Sequence, residues 1–135
     1  MVHRIFCSAL VLASVSLAGC HNPFAGGYSC PAVINPAIVV EIRDARNSAP
    51  LANDARGAVH EGAYVDSLTP YEGTGTGAGP LLLISRRAAD ERAGNYSVEV
   101  NHAGYRAWTL AGVRVVSGQC GVRTRRLSAS LEPAP

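Results

Sequence analysis

One stretch limits the fold more than any other. From Tyr96 to Asn101, apolar and polar residues alternate without a break: Tyr96, Val98 and Val100 against Ser97, Glu99 and Asn101. Successive side chains of a strand point to opposite faces, so this pattern predicts a half-buried β-strand with its apolar residues inward. After Pro36, Ile38, Val40 and Ile42 alternate with Val39, Glu41 and Arg43 in the same way. No stretch carries convincing helical periodicity. Asp44–Pro50, Ala103-Gly104 and Ser117–Gly121 are turns by composition.

The other segments are less regular. Residues 56–68 read as extended, with Val59, Ala63 and Val65 on one face and His60, Tyr64 and Asp66 on the other. Pro70 to Pro80 is a Gly/Thr loop. Leu81–Ile84 is an apolar run of strand length ended by Ser85-Arg86-Arg87, and Ala88–Gly94 reads as a loop. Tyr105–Val116 is one long or two broken extended segments interrupted at Gly112, with the single tryptophan, Trp108, packing on the Tyr96 sheet. Val122 and Thr124 set one phase, and Leu127, Ala129 and Leu131 the other, so a single strand here needs a β-bulge near Arg125-Arg126. Short strands separated by Gly, Pro and Asn turns predict an all-β, antiparallel, Ig-like sandwich over residues 36–135.

The first residues belong to a separate account. Ile5–Ser16 is apolar, follows Arg4, and at about a dozen residues is short for a membrane-spanning helix of ~20. Leu17-Ala18-Gly19-Cys20 comes next. This order resembles the lipobox of bacterial lipoproteins. The resemblance implies that residues 1–19 are a cleaved signal peptide, that Cys20 carries diacylglycerol, and that the new amino group can be acylated. Two or three acyl chains hold a protein stably on a membrane, whereas one holds weakly. The competing readings, an ordinary secretory signal or an uncleaved anchor, treat Cys20 as a coincidence. His21 stands where enteric lipoproteins retained on the inner membrane carry Asp, which leans toward the outer membrane where one exists. Residues 20–35, with Pro23 and Gly26-Gly27, read as the lipidated N-terminus and tether.

Of the four cysteines, Cys7 leaves with the signal peptide and Cys20 is consumed by lipid. Cys30 and Cys120 remain in a compartment where disulfides persist, and the simplest outcome is that they pair. The alternative is two free or metal-bound thiols, although no CxxC spacing supports a metal.

A second resemblance concerns the domain. Ile38–Ala45 followed by Ala49-Pro50-Leu51 resembles the first strand and turn of carboxypeptidase regulatory-like domains, with Ser48 where that family usually has Gly. Gly94-Asn95-Tyr96-Ser97-Val98-Glu99-Val100 and Ala103-Gly104-Tyr105 match its G-x-Y-x-V-x-V and G-Y pattern. The match spans about residues 36–131, and its middle is not recognisable. It implies a seven-stranded, prealbumin-like sandwich acting as an accessory module without catalytic residues.

Chemistry is sparse by comparison. All basic side chains except histidine are Arg, so no Schiff-base or phosphate-loop lysine exists. The formal net charge of +2 is too small to argue for a polyanion partner, nucleic acid included. His60, Glu61 and Asp66 could be imagined as metal ligands, but they lack HxxE or HExxH spacing, and His21 and His102 stand apart. There is no GxSxG elbow, and the chain ends Leu131-Glu132-Pro133-Ala134-Pro135, unlike the Tyr-Arg-Gly-Ser tail of transthyretin-like hydrolases. Gly73, Gly75, Gly77 and Gly79 precede Pro80 and an apolar run rather than a helix N-terminus, so they read as a loop. Arg86-Arg87, Arg125-Arg126, Arg106, Arg114 and Arg123 suit lipid phosphates or wall polymers. With acidic residues almost as numerous, they read first as solvated surface.

The expectation is therefore a membrane-anchored, non-enzymatic module of the cell envelope without cofactor, metal or nucleic acid, meeting an envelope protein or polymer. Two alternatives stand beside it: a transthyretin-like hydrolase with an unrecognised site, and a docking subunit acting by edge-strand addition.

Overall fold

The computed structural model describes residues 29–72 and 85–135. Those residues form strands without helices. Their order is β1 (Pro36–Asp44), β2 (Arg56–Glu61), β3 (Tyr64–Ser67), β4 (Thr69–Tyr71), β5 (Ser85–Asp90), β6 (Gly94–Asn101), β7 (Trp108–Val115), β8 (Ser117–Gly118), β9 (Gly121–Val122) and β10 (Arg125–Leu131). One sheet runs β10-β1-β5-β4, a second β3-β2-β6-β7, and β8-β9 is a separate two-stranded ribbon. Pairing is antiparallel throughout except between β1 and β10, the first and last strands, which run parallel.

The alternating stretches behave as their pattern requires. Tyr96, Val98 and Val100 are buried while Ser97 and Asn101 are exposed. They meet Val59 of β2 and Val113 and Val115 of β7 on one side of the core, and Ile38, Val40, Ile42, Ala129 and Leu131 on the other. Trp108 pairs with Val100 and packs against this core. The result is a β-sandwich-like molecule whose apolar side chains lie between two four-stranded sheets. The described residues hold ten strands against the seven expected, and β4, β8 and β9 are only two or three residues long.

Gly112 marks the interruption foreseen in residues 105–116. It sits at φ 72°, and the β6–β7 register slips between Tyr96 and Val98. A residue with no Cβ takes this backbone conformation without strain, and the strand continues through a bulge rather than breaking. Gly104, at φ 80°, makes the tight reversal before Tyr105.

Four expectations are corrected. Residues 56–68 are not one extended segment, because Gly62 at φ 56° turns β2 back into β3. Val59 therefore pairs with Asp66, and Val65 lies beside His60, 58% exposed. Ser85-Arg86-Arg87 does not end a strand: these residues lie in β5, which continues to Asp90 through residues read as loop. The phase slip before Leu127 is a gap between β9 and β10 rather than a bulge inside one strand. Arg86 is not solvated surface: it is 6% exposed and faces the core opposite Val40. Leu81–Ile84 and the glycines from Gly73 to Gly79 lie outside the described residues.

Candidate functional site

Cys30 and Cys120 are joined in a disulfide, with their Cα atoms 5.2 Å apart. Cys120 sits at the tip of the β8–β9 ribbon. The bond fixes the end of the N-terminal segment to the sandwich, and hydrogen bonds extend the attachment. The Asn35 side chain donates to the carbonyl of Cys120 at 3.0 Å, and the backbone N–H of Glu91 donates to the carbonyl of Asn35 at 2.9 Å. Cys20, the expected lipidation site, lies outside the described residues.

Beside this attachment the structure gathers arginines that stand apart in sequence. After Val115 the chain passes through the ribbon and returns, held by the Arg123 N–H donating to the Val116 carbonyl at 2.9 Å. This places Arg123, Thr124 and Arg125 next to Gly112, Arg114 and Val116, lining an open groove of about 500 Å³. Arg125 occupies the same alternation phase as Leu127, Ala129 and Leu131, so the row that fills the core ends in a cation at the open end of β10. The three arginines are exposed, and none forms an ion pair with a described residue. Guanidinium groups in this arrangement can bind phosphate or carboxylate oxygens through bidentate hydrogen bonds.

Sequence reasoning named these arginines without seeing that they converge. A signal was present: between Glu99 and Glu132 lie Arg106, Arg114, Arg123, Arg125 and Arg126, and no acidic residue. Arg43, Arg46, Arg86, Arg87 and Arg92, by contrast, have anionic or backbone partners. Arg87 pairs with Asp90 at 3.2 Å. Arg86 donates Nε to the carbonyl of Ala52 at 2.7 Å, and its terminal nitrogens to those of Leu68 at 3.1 Å and Asn53 at 2.9 Å. Burial, and then the charge of Arg56, push its guanidinium below the usual pKa.

Two polar clusters brace the sandwich. Arg92 lies 3.9 Å over the Tyr64 ring, pairs with Glu61, and donates to the Tyr96 hydroxyl at 2.8 Å, which itself donates to the Arg92 carbonyl. The backbone N–H of Asn95, then Arg92, hold the Glu61 carboxyl below its usual pKa. At the end of β1, buried Asp44 accepts from the Tyr105 hydroxyl at 2.7 Å and from the Arg46 backbone N–H at 2.7 Å. Those contacts, led by the tyrosine, lower Asp44 from 3.8 to about 2.

The imagined ligand set is occupied otherwise: Glu61 serves Arg92, and Asp66 accepts the Ala89 N–H at 2.7 Å. His102 packs edge-on against Tyr105 at 5.0 Å. Among the described residues no group of three His, Cys, Asp or Glu side chains is placed to hold a metal ion. A second shallow groove combines Asp54, Arg56, Asn101, His102 and Ala103, with mixed charge. No family model matches the chain, and no curated protein matches it in sequence.

Proposed function

We propose that this chain is a bacterial lipoprotein, held on a membrane through lipid on Cys20, whose sandwich serves as a non-enzymatic binding or structural module of the cell envelope. The observation that carries the reading is the Cys30–Cys120 disulfide. Such bonds persist outside the cytoplasm, where the Leu17–Cys20 sequence would send the chain. The same bond ties Cys30, ten positions after the acylated cysteine, to the domain. His21, in place of the Asp that favours inner-membrane retention, leans the placement toward the outer membrane where one exists.

The finer assignment, a seven-stranded prealbumin-like domain of the carboxypeptidase regulatory-like family, draws support from two placements. Gly94–Val100 and Gly104-Tyr105 form the strand and reversal that the resemblance implies. Ser48, where that family usually has glycine, sits at φ 59°, a conformation glycine adopts most easily.

Docking by strand addition is a second reading. Its support is that β7 forms one edge of its sheet and leaves Leu110 39% exposed.

Replacing Cys20 with Ser tests the anchor. The variant should accumulate as uncleaved precursor and take up no radiolabelled palmitate. A C20S chain that is cut and labelled like the parent overturns the reading.

A further inference from the structure

We propose that the groove of Arg114, Arg123 and Arg125 docks the domain onto the anionic phospholipid headgroups of the membrane that carries its anchor. The proposal rests on the lipid-anchor reading above.

Charge is the first argument. These three cations line one groove, have no anionic partner among the described residues, and belong to a stretch of five arginines uninterrupted by an acid. The acidic residues all lie outside that stretch. Arg87, Arg92 and Arg46, by contrast, pair with Asp90, Glu61 and Asp44. Thr124 adds a hydroxyl at the same place, suited to a phosphate oxygen.

Tether length is the second. Cys30 lies ten positions after Cys20, and a chain of that length spans at most about 36 Å. Its far end is bonded to Cys120, three positions before Arg123. Acyl chains on Cys20 therefore keep the groove close to headgroups whatever path the intervening residues take. A short tether raises the effective concentration of one surface near the other to the millimolar range, so contacts too weak to hold a free protein are sufficient here.

The chemistry fits a surface more closely than a small molecule. The groove is open, its cations come from separate chain segments, and planar guanidinium forks can each take a different phosphate. A basic side chain beside an anionic membrane strengthens association by about fivefold, so three should shift the docked-to-undocked ratio by roughly a hundredfold. Phosphate charge, rather than acyl contact, would orient the domain, and the effect should fade with salt.

The test uses the full lipidated protein reconstituted into vesicles with a dansyl-headgroup lipid. Trp108 is the only tryptophan and lies on β7 with Arg114, so energy transfer from it reports docking. Vesicles of equal phosphatidylglycerol and phosphatidylcholine should give at least twofold more transfer than phosphatidylcholine alone, and high salt should remove the difference. Arg114→Gln/Arg123→Gln/Arg125→Gln should lower transfer on anionic vesicles to the neutral level, with unchanged circular dichroism. Arg56→Gln, which removes one charge from the other groove, should leave most of the signal, whereas each single Gln change at Arg114, Arg123 or Arg125 should lower it. Equal transfer on both vesicles, or a triple variant matching the parent, overturns the proposal. So does arginine-dependent binding to soluble polyglutamate without any vesicle difference, which would assign the groove to an anionic polymer. Co-flotation separates the two levels: a parent chain that floats without docking sinks only this proposal, whereas one that does not float sinks the anchor reading and docking together.

Discussion

β5 and β6 occupy equivalent places, each an interior strand of a four-stranded sheet, yet they close the core by different means. β6 turns Tyr96, Val98 and Val100 inward, all at most 1% exposed. β5 turns Arg86 and Ala88 inward, and its next residue, Ala89, sits at φ 56° with its N–H donated to Asp66. On the β6 side, stability comes from apolar surface removed from water. On the β5 side, a cation is kept in the interior because three carbonyls surround it. Those carbonyls belong to the segment after β1 and to the residue joining β3 to β4, so Arg86 secures chain that has few ladder bonds of its own. The first arrangement degrades gradually as methyl groups are lost. The second fails all at once, since a buried acceptor without its donor bears the full desolvation cost.

Arg86→Ala should therefore be the most damaging of the single changes, costing about 3–5 kcal/mol. Arg86→Lys should recover little, because one ammonium cannot reproduce a fork that reaches three carbonyls. Denaturant midpoints followed by Trp108 fluorescence give both values, and an Arg86→Ala cost no larger than that of Val98→Ala would break the contrast. Val98→Ala should cost about 2 kcal/mol, at the low end for core truncation, while Glu99→Ala stays within about 0.5 kcal/mol. Equal effects at 98 and 99 would contradict the facing of β6.

A smaller gain is expected at the turn after β1. Ser48→Gly should stabilise by up to about 1 kcal/mol, because glycine takes φ 59° without the Cβ penalty, less the added freedom of the unfolded chain. Asp44, the charged residue on the inner row of β1, should show itself only in acid. Its folded pKa is lowered, so its contribution is complete above pH 3.8 and is lost as pH falls toward about 2. Asp44→Asn should flatten that part of the stability-versus-pH curve, and an acid limb unchanged from the parent would show that Tyr105 and Arg46 do not favour the carboxylate.

The same contrast explains what the sequence reveals. β6 and β1 are legible because each contacts the core with one face, and period-two alternation follows directly from that geometry. β5 is hidden for three physical reasons. Its inward residue at 86 is an arginine, indistinguishable by type from its exposed neighbour Arg87. Ala88 and Ala89 carry little hydrophobic signal. Ala89 also adopts a backbone conformation that alternation does not encode. The β2–β3 hairpin was missed because its turn, Gly62-Ala63, lies inside a run with no proline or asparagine to mark it. Of the site, the cysteine pair was legible by elimination, since two thiols remained. The convergence of Arg114 with Arg123 and Arg125 was not, because the β8–β9 ribbon that folds one onto the other is two residues wide on each side.

Mass spectrometry of the protein extracted from membranes tests the central claim most directly. The account predicts an N-terminal peptide that begins at Cys20 and carries diacylglycerol, with Cys30 and Cys120 linked until reduction. A chain that begins elsewhere, or a Cys20 recovered as an unmodified thiol, would contradict it.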